Sequence, residues 1–149
     1  MKHILFLLLT CTLLISQPIA ASEGAEVFDI RKGEIIRTLP NSNELQTQVK
    51  EWLSSITGPL ESLEVEPRNG IAIKIPLTPP YSISTKWITG TVTEVVMFVS
   101  SSPTYYPTLL IFSKERGFAA IHFDSKNLKV FLEENKLYDP GFNLSMPRG

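Results

Sequence analysis

The stretch NSNELQTQVKEWLSSITGP, residues 41–59, carries the clearest helical pattern in the chain. Its apolar residues recur at spacings of three and four, which places them on one stripe of a 3.6-residue helix. These residues are Leu45, Val49, Trp52, Leu53 and Ile56. Asn41 and Glu44 have the spacing of a capping box, and a Gly-Pro pair ends the pattern. We therefore predict one long amphipathic helix, Asn43 to Thr57.

Period-two patterns, typical of strands, lie on both sides of this helix. Residues 27–30 and 34–39 are extended runs around a glycine turn, which predicts a hairpin or an edge strand. Residues 60–66 alternate weakly and predict a half-buried strand, whereas residues 71–77 alternate without a fault. The prolines at positions 76–80 predict that this strand ends at an edge or a bend, because proline donates no hydrogen bond to a ladder.

The second half of the chain contains further strand patterns and a second helix. Residues 91–100, 108–113 and 118–124 are apolar extended runs, and a hairpin-length connection joins the last two. Ser125 can cap a second helix that buries Leu128, Phe131 and Leu132. Short turns and the lack of a crossover helix favour antiparallel pairing.

These patterns predict an α+β fold. A mostly antiparallel curved sheet of about five to six strands would pack on one long amphipathic helix, Asn43 to Thr57, with a second helix near the C-terminus.

The first 21 residues have the order of a secretory signal peptide. Lys2 precedes an apolar run, and Pro18 is followed by the small residues Ala20 and Ala21. This order predicts a secreted, extracellular protein with cleavage near Ala21. The apolar run is shorter than the ~20 residues that span a bilayer, so we expect no stable membrane span after cleavage. An uncleaved leader that anchors the chain in a membrane is the alternative.

Cleavage would leave a cysteine-free chain, since Cys11 is the only cysteine. We expect residues 22–138 to form a single exported domain. Residues 139–149 would be a C-terminal tail that is mobile or lies as an extended strip on the surface. The net charge of the whole chain is −1, and lysines and arginines are scattered among acids, which favours no nucleic-acid partner.

A resemblance rests on the stretch ITGPLESLEVEPRNGIAIKIPLTPP, with Trp87, TEVVMFV and the later PTLLIF. These patterns resemble small exported proteins of unknown function from spore-forming Gram-positive bacteria, over about Phe28 to Leu132. The resemblance implies secretion and a single domain, and it carries over no site. A helix held by a curved antiparallel sheet is also similar to cystatin-like folds, including the nuclear transport factor 2 type, and to PepSY-type modules, as an analogy of fold alone.

His122 is the only candidate general base after the leader. Asp124 follows two residues later, so in a strand both side chains would share one face and the carboxylate could orient the imidazole. The alternative is a partly buried structural histidine. Because no G-x-S-x-G motif is present, we assign no catalytic residue and keep His122 with Asp124 as the alternative. One histidine without cysteine predicts no zinc site, and we expect no metal and no cofactor.

Four aromatic residues lie in or beside proline-bearing loops, where amphipathic rings can contact a partner or stack on a sugar. They are Tyr81, Trp87, Tyr105 and Tyr106. Alternatively, Trp87 closes the core and the tyrosines cover its rim. We predict that a loop end with Pro79, Pro80, Tyr81, Tyr105 and Tyr106 forms the contact region.

The leading functional hypothesis is therefore a small secreted, non-enzymatic domain that binds an envelope or extracellular component, either a cell-envelope protein or a glycan. The second hypothesis is a hydrolase or a small-ligand-binding protein with a pocket between helix and sheet. The third is a protease inhibitor that uses an exposed loop as a wedge, on fold analogy alone.

Overall fold

The computed structural model describes residues 24–148, which form seven strands and two helices. The strands are β1 (Ala25–Asp29), β2 (Glu34–Leu39), β3 (Ile56–Pro59), β4 (Ile71–Ser84), β5 (Thr89–Val99), β6 (Thr108–Ser113) and β7 (Gly117–Phe123). The helices are α1 (Asn43–Ser54) and α2 (Leu128–Glu134). The predicted signal peptide, residues 1–21, with its cleavage near Ala21, lies outside the described residues.

All seven strands belong to one sheet with the order β2-β1-β4-β5-β6-β7-β3, and every neighbouring pair is antiparallel. The antiparallel sheet is confirmed. The prediction of five to six strands packed on one long helix, Asn43 to Thr57, is wrong. The described chain is mainly this seven-stranded sheet, and its two helices have only 12 and 7 residues.

Helix α1 ends three residues earlier than predicted because its last turn changes into a strand. The hydroxyls of Ser54 and Ser55 donate to the carbonyl oxygens of Glu51 and Trp52, which satisfies the last turn locally. Ile56 and Thr57 are β-branched and precede a Gly-Pro pair, so they favour an extended backbone. They start β3, which pairs with β7 and forms one edge of the sheet.

The start of α1 also differs from the prediction. Ser42, not Asn41, is the N-cap, and its hydroxyl accepts a hydrogen bond from the Leu45 amide at 3.1 Å. The Asn41 amide instead donates to the Thr78 hydroxyl at 2.8 Å. The Gln46 side chain bonds to the Pro76 carbonyl and the Thr78 amide. These bonds fasten α1 to the proline-rich middle of β4.

The prolines interrupt the pairing of β4 but do not end the strand. The register of β4 against β5 shifts between Pro76 and Tyr81, where the strand bulges away from its neighbour, and pairing then resumes to Ser84. A bulge is how a proline-bearing segment can remain in a strand, because its residues need not donate to the ladder. The bend at this position was predicted, whereas the continuation of the strand was not.

One face of the sheet carries the main core. The predicted stripe of α1 is buried at Leu45, Val49, Trp52 and Leu53, while Ile56 is half-buried on β3. Leu128, Phe131 and Leu132 of α2 are buried beside it, as predicted. Trp52 is 2% exposed, and its ring lies edge-on to Phe131 at 5.0 Å and tilted to Phe123 at 6.1 Å. Both helices therefore cover the same face of the sheet.

The segment after α2 packs on the domain. Phe142 and Leu144 contact the main core, and the Ser125 hydroxyl donates to the Leu144 carbonyl at 3.0 Å. The predicted strand over residues 60–66 is wrong, because this segment has no regular structure. Between residues 24 and 148, no helix is long and apolar enough to cross a membrane.

Candidate functional site

Two loops cover the face of the sheet that the helices leave free. They are the β3–β4 loop, residues 60–70, and the β5–β6 loop, residues 100–107. Ala72 and Phe98 alternate with the core residues of β4 and β5, so they point to this second face, where Tyr105 and Val65 pack on them. The second face therefore has a small apolar cluster of its own.

Tyr105 joins the two loops. Its ring is 7% exposed, and its hydroxyl donates to the Val65 carbonyl at 2.5 Å. Burial raises the pKa of Tyr105 to about 12, and the negative charges of Glu64 and Glu66 contribute in the same direction, against a hydrogen bond with Thr108. The phenol is thus neutral across the physiological pH range, and its role is structural.

Two asparagines fix the β5–β6 loop from opposite sides. The Asn69 side-chain oxygen accepts hydrogen bonds from the Ser100 hydroxyl at 2.7 Å, the Ser101 amide at 3.1 Å and the Ser101 hydroxyl at 2.9 Å. The Asn143 side-chain amide contacts the carbonyls of Ser102, Pro103 and Tyr105 at 3.3, 3.2 and 2.9 Å. These hydrogen bonds stabilise the loop, which has no regular secondary structure.

A groove of about 480 Å³ opens between the two loops and reaches strand β7. We call it the His122 groove. Glu61 and Glu64 line it from the β3–β4 loop, Thr104 and Tyr106 from the β5–β6 loop, and His122 from β7. Its lining combines carboxylates, hydroxyls and an aromatic ring, which suits hydrogen bonding and stacking with a polar ligand.

His122 lines this groove without the predicted orienting carboxylate. Its Nδ1 is buried and has no hydrogen-bond partner among the described residues, and its ring lies edge-on to Tyr106 at 6.4 Å. Asp124 follows the end of β7 and lies 3.8 Å from the Lys126 ammonium, in a different depression beside Trp52. The structure does not bring His122 and Asp124 together.

The serine hydroxyls that line the groove bond to groups other than His122, and the Ser62 hydroxyl accepts a hydrogen bond from the Glu64 amide at 3.1 Å. Ser100 and Ser101 donate to Asn69, and Ser102 shares a hydrogen bond with Thr104 at 3.1 Å. No hydroxyl in the described part of the chain hydrogen-bonds to the buried Nδ1 atom of His122. The groove therefore has no nucleophile–base pair of the kind that activates a serine.

The four predicted aromatic residues do not form one surface. Tyr81 pairs with Val92 near the start of β5, whereas Tyr105 and Tyr106 follow its end at Val99. Seven residues of strand separate these positions, or about 23 Å. The predicted loop end with Pro79, Pro80, Tyr81, Tyr105 and Tyr106 is thus two separate regions.

Within these regions, the rings have different environments. Trp87 is 44% exposed in the β4–β5 turn, with the Lys86 ammonium 4.8 Å from its ring. Tyr81 packs against the main core, and the Lys50 ammonium lies 5.1 Å from its ring. Tyr105 is buried and Tyr106 is half-buried. Tyr105 and Tyr106 are the two of these rings that line the His122 groove. The Tyr105 hydroxyl is bonded to Val65, so Tyr106 is the ring that remains available to a ligand.

A second groove of about 480 Å³ lies on the other side of Asn69, which borders both grooves. Four basic residues from β2, its turn and the end of α2 line it: Arg31, Lys32, Arg37 and Lys136. Asp29 and Asp139 are its carboxylates. We call it the basic groove. Its charge is opposite to that of Glu61 and Glu64 in the neighbouring β3–β4 loop.

The sequence patterns did not identify Asn69, Asn143 or the four basic residues as a site. Asn69 belongs to an Asn-Gly pair, which is typical of a turn, and Asn143 begins an Asn-Leu-Ser tripeptide; neither pattern predicts the hydrogen bonds that these side chains make. Residues 31–37 and residue 136 are far apart in sequence, so only the fold brings them together. Within residues 24–148, no three His, Cys, Asp or Glu side chains are placed to hold a metal ion.

Comparison with known proteins adds no relative. No family model matches the chain, and neither a curated protein nor a solved structure matches it.

Proposed function

We propose that this protein is a small secreted, non-enzymatic domain that binds a cell-envelope glycan in the His122 groove. The observation that carries the proposal is the groove itself. It combines the half-buried Tyr106 ring with hydroxyls and carboxylates on a rigid, hydrogen-bonded frame. Sugars present apolar C–H faces and rings of hydroxyls, which call for an aromatic surface surrounded by donors and acceptors.

Secretion rests on the leader pattern at residues 1–21, which predicts export with cleavage near Ala21. An exported domain would meet envelope glycans and proteins first. A membrane anchor through an uncleaved leader is compatible with the same groove, since the leader precedes β1 in the chain. Mass spectrometry of the protein from an exporting host tests cleavage directly, and an N-terminus at Ser22 is the expected result.

Binding fits the groove better than hydrolysis. The Nδ1 atom of His122 has no hydrogen-bond partner among the described residues, and the serine hydroxyls of the groove bond to Asn69, Thr104 and the Glu64 amide. A helix–sheet pocket is not favoured either, because Trp52 and Leu53 are buried at that interface. The protease-inhibitor alternative depended on analogy with a sheet wrapped around one long helix, which this chain does not have. We therefore do not carry it further.

Isothermal titration calorimetry with cell-wall glycan fragments tests the proposal. We expect binding to the full chain, and a loss of roughly tenfold or more in affinity for Tyr106→Ala, because truncating a tyrosine at the centre of an interface costs about 2 kcal/mol or more. Tyr81→Ala is the matched control, since it removes the same side chain from the distant region. Equal effects of the two substitutions, or no binding of any fragment, would overturn the proposal.

A further inference from the structure

Residues 61–66 of the β3–β4 loop present an acidic surface with an apolar tip, and Arg68 is the one basic residue of this loop. Glu61, Glu64 and Glu66 are exposed, and Leu63 between them is fully exposed. None of the three carboxylates has a basic partner within 4.0 Å in the described part of the chain. We call these four residues the acidic loop. Unpaired carboxylates around an exposed leucine are complementary to a partner surface that carries positive charge around an apolar contact.

The basic groove is complementary to the acidic loop in charge and in its apolar contact. Arg31, Lys32 and Lys136 are exposed and make no salt bridge within residues 24–148. Ile35 and Ile36 of β2 are each about half exposed beside them, and Ile36 lines the groove. The groove thus offers positive charge around an apolar contact, and the acidic loop offers negative charge around Leu63.

Arg37 has a different role in the same groove. Its guanidinium donates to the Asn135 carbonyl at 2.9 Å and to the Lys136 carbonyl at 3.4 Å, at the end of α2. It therefore holds the far wall of the groove, and the three other basic side chains remain available for a partner. Asp29 and Asp139 accept backbone hydrogen bonds from Lys32 and Gly141.

The acidic loop and the basic groove lie side by side, which permits a two-fold contact between two copies. Asn69 borders both the groove that Glu61 and Glu64 line and the basic groove, so the two surfaces are neighbours on one side of the molecule. Neighbouring surfaces of opposite charge are self-complementary across a two-fold axis, because each copy can offer its acidic surface to the other's basic surface. If the acidic and basic surfaces lay at opposite ends of the molecule, copies would instead join head to tail into an open chain of subunits.

We propose that this protein forms a two-fold dimer in which the acidic loop of each copy docks on the basic groove of the other. The basic half of this contact, Arg31, Lys32 and Lys136, lies outside the His122 groove, whereas Glu61 and Glu64 also line that groove. The Arg31→Glu with Lys32→Glu variant therefore tests the dimer without changing the residues proposed to bind the glycan. Salt weakens such a contact, since exposed charges are screened within about 10 Å at 0.1 M ionic strength.

Light scattering after size exclusion and analytical ultracentrifugation of the full chain test the dimer. From micromolar to millimolar protein, we expect a concentration-dependent rise to twice the monomer mass at low salt, which declines at high salt. A monomer over this whole range would overturn the proposal. A dimer insensitive to salt would also overturn it, since its contact would not be the charged one.

Charge reversal provides the sharper test. The double substitutions Glu61→Lys with Glu64→Lys, and Arg31→Glu with Lys32→Glu, should each weaken self-association roughly tenfold or more, because like charges then face each other. A mixture of the two variants should associate again, since both contacts of the mixed pair join opposite charges. Recovery in the mixture also shows that both variants are folded.

Lys114→Glu with Arg116→Glu in the β6–β7 turn is the matched control for Arg31→Glu with Lys32→Glu, because it makes the same change in net charge at a distant position. We expect it to leave self-association unchanged. No recovery in the mixture, or an equal loss in the control, would contradict the reciprocal contact. Binding of poly-glutamate by a chain that stays monomeric would assign the basic groove to a foreign acidic partner and would also reject the dimer.

Discussion

The helix-covered face of the sheet and the loop-covered face differ in what holds them together. On the first face, α1 and α2 bury a continuous apolar core around Trp52. On the second face, a small apolar cluster around Tyr105 is supplemented by side-chain hydrogen bonds from Asn69 and Asn143. On the first face, a pocket between β2, α1 and α2 measures about 210 Å³, whereas the His122 groove on the second face measures about 480 Å³.

We infer from this difference that the helix-covered face provides most of the stability and that the loop-covered face binds the ligand. Apolar burial is non-directional and fills space, so it leaves little room for a ligand. Hydrogen-bonded loops hold polar groups in fixed positions next to solvent, where a ligand can reach them. We therefore expect substitutions on the helix-covered face to reduce the free energy of unfolding most, and substitutions in the groove to reduce binding most.

The largest expected effect is on the helix-covered face. Trp52→Ala should lower the free energy of unfolding by ~3–5 kcal/mol, because the enclosed ring leaves a cavity against Phe123 and Phe131. Urea unfolding followed by circular dichroism measures the loss. Trp87→Ala is the control, and we expect a loss of about 1 kcal/mol or less, since that ring is 44% exposed. Similar losses for both would contradict the assignment of the core.

The next effect belongs to Tyr105 and depends on pH. Because the folded-state pKa is about 12, above the ordinary value of 10.0, the folded protein keeps a proton that the unfolded chain releases. The contribution of the neutral Tyr105 phenol to the free energy of unfolding is fully present below pH 10 and is lost as the pH rises towards 12. The expected loss is up to about 3 kcal/mol.

Urea unfolding at pH 8 and pH 11.5 measures this loss, and Tyr105→Phe isolates it. The variant should be less stable at pH 8 by about 1–2 kcal/mol, because the Val65 carbonyl loses its donor. It should also lose less stability than the original chain between the two pH values. An identical decline in both proteins would show that the Tyr105 phenol is not the responsible group.

A smaller effect is expected at Asn143. Asn143→Ala removes the amide that contacts three carbonyls of the β5–β6 loop, and we expect a loss of about 1–2 kcal/mol together with weaker glycan binding. Asn127→Ala is the matched control, because the Asn127 side chain makes no capping hydrogen bond at the start of α2. Loss of stability with unchanged glycan binding would mean that this loop does not shape the groove.

The smallest effect on stability is expected at Tyr106. Its half-buried ring contacts His122 edge-on, so Tyr106→Ala should cost about 1 kcal/mol in the free energy of unfolding. Thermal unfolding measures this value. A loss as large as that of Trp52→Ala would place Tyr106 in the core and remove the contrast between the two faces.

The sequence predicts the helix-covered face well because that face follows simple periods. Leu45, Val49, Trp52 and Leu53 repeat at helical spacing, and all four are buried. The alternation from Ile71 to Leu77 likewise identifies the core side of β4. Ile56 continued the helical spacing but belongs to β3, because pairing with β7 overrode the local pattern.

The loop-covered face was largely missed because its contacts have no period. Val65 and Tyr105 are 40 residues apart, and Asn143 contacts carbonyls about 40 positions earlier. Such contacts depend on the register of the whole sheet. The sequence patterns place Tyr81 and Tyr105 in one contact region because both lie beside prolines. Proline-bearing loops have similar sequences wherever they lie in the fold, so their distance from each other cannot be read from the sequence.

Nuclear magnetic resonance mapping of glycan binding tests the central claim most directly. On titration of the full chain with cell-wall glycan fragments, chemical-shift changes should concentrate in residues 61–69, residues 102–108 and His122. Residues of α1 and the β4–β5 turn with Trp87 should remain unchanged. Changes centred on Tyr81 and Trp87, or spread along α1, would contradict the assignment of recognition to the loop-covered face.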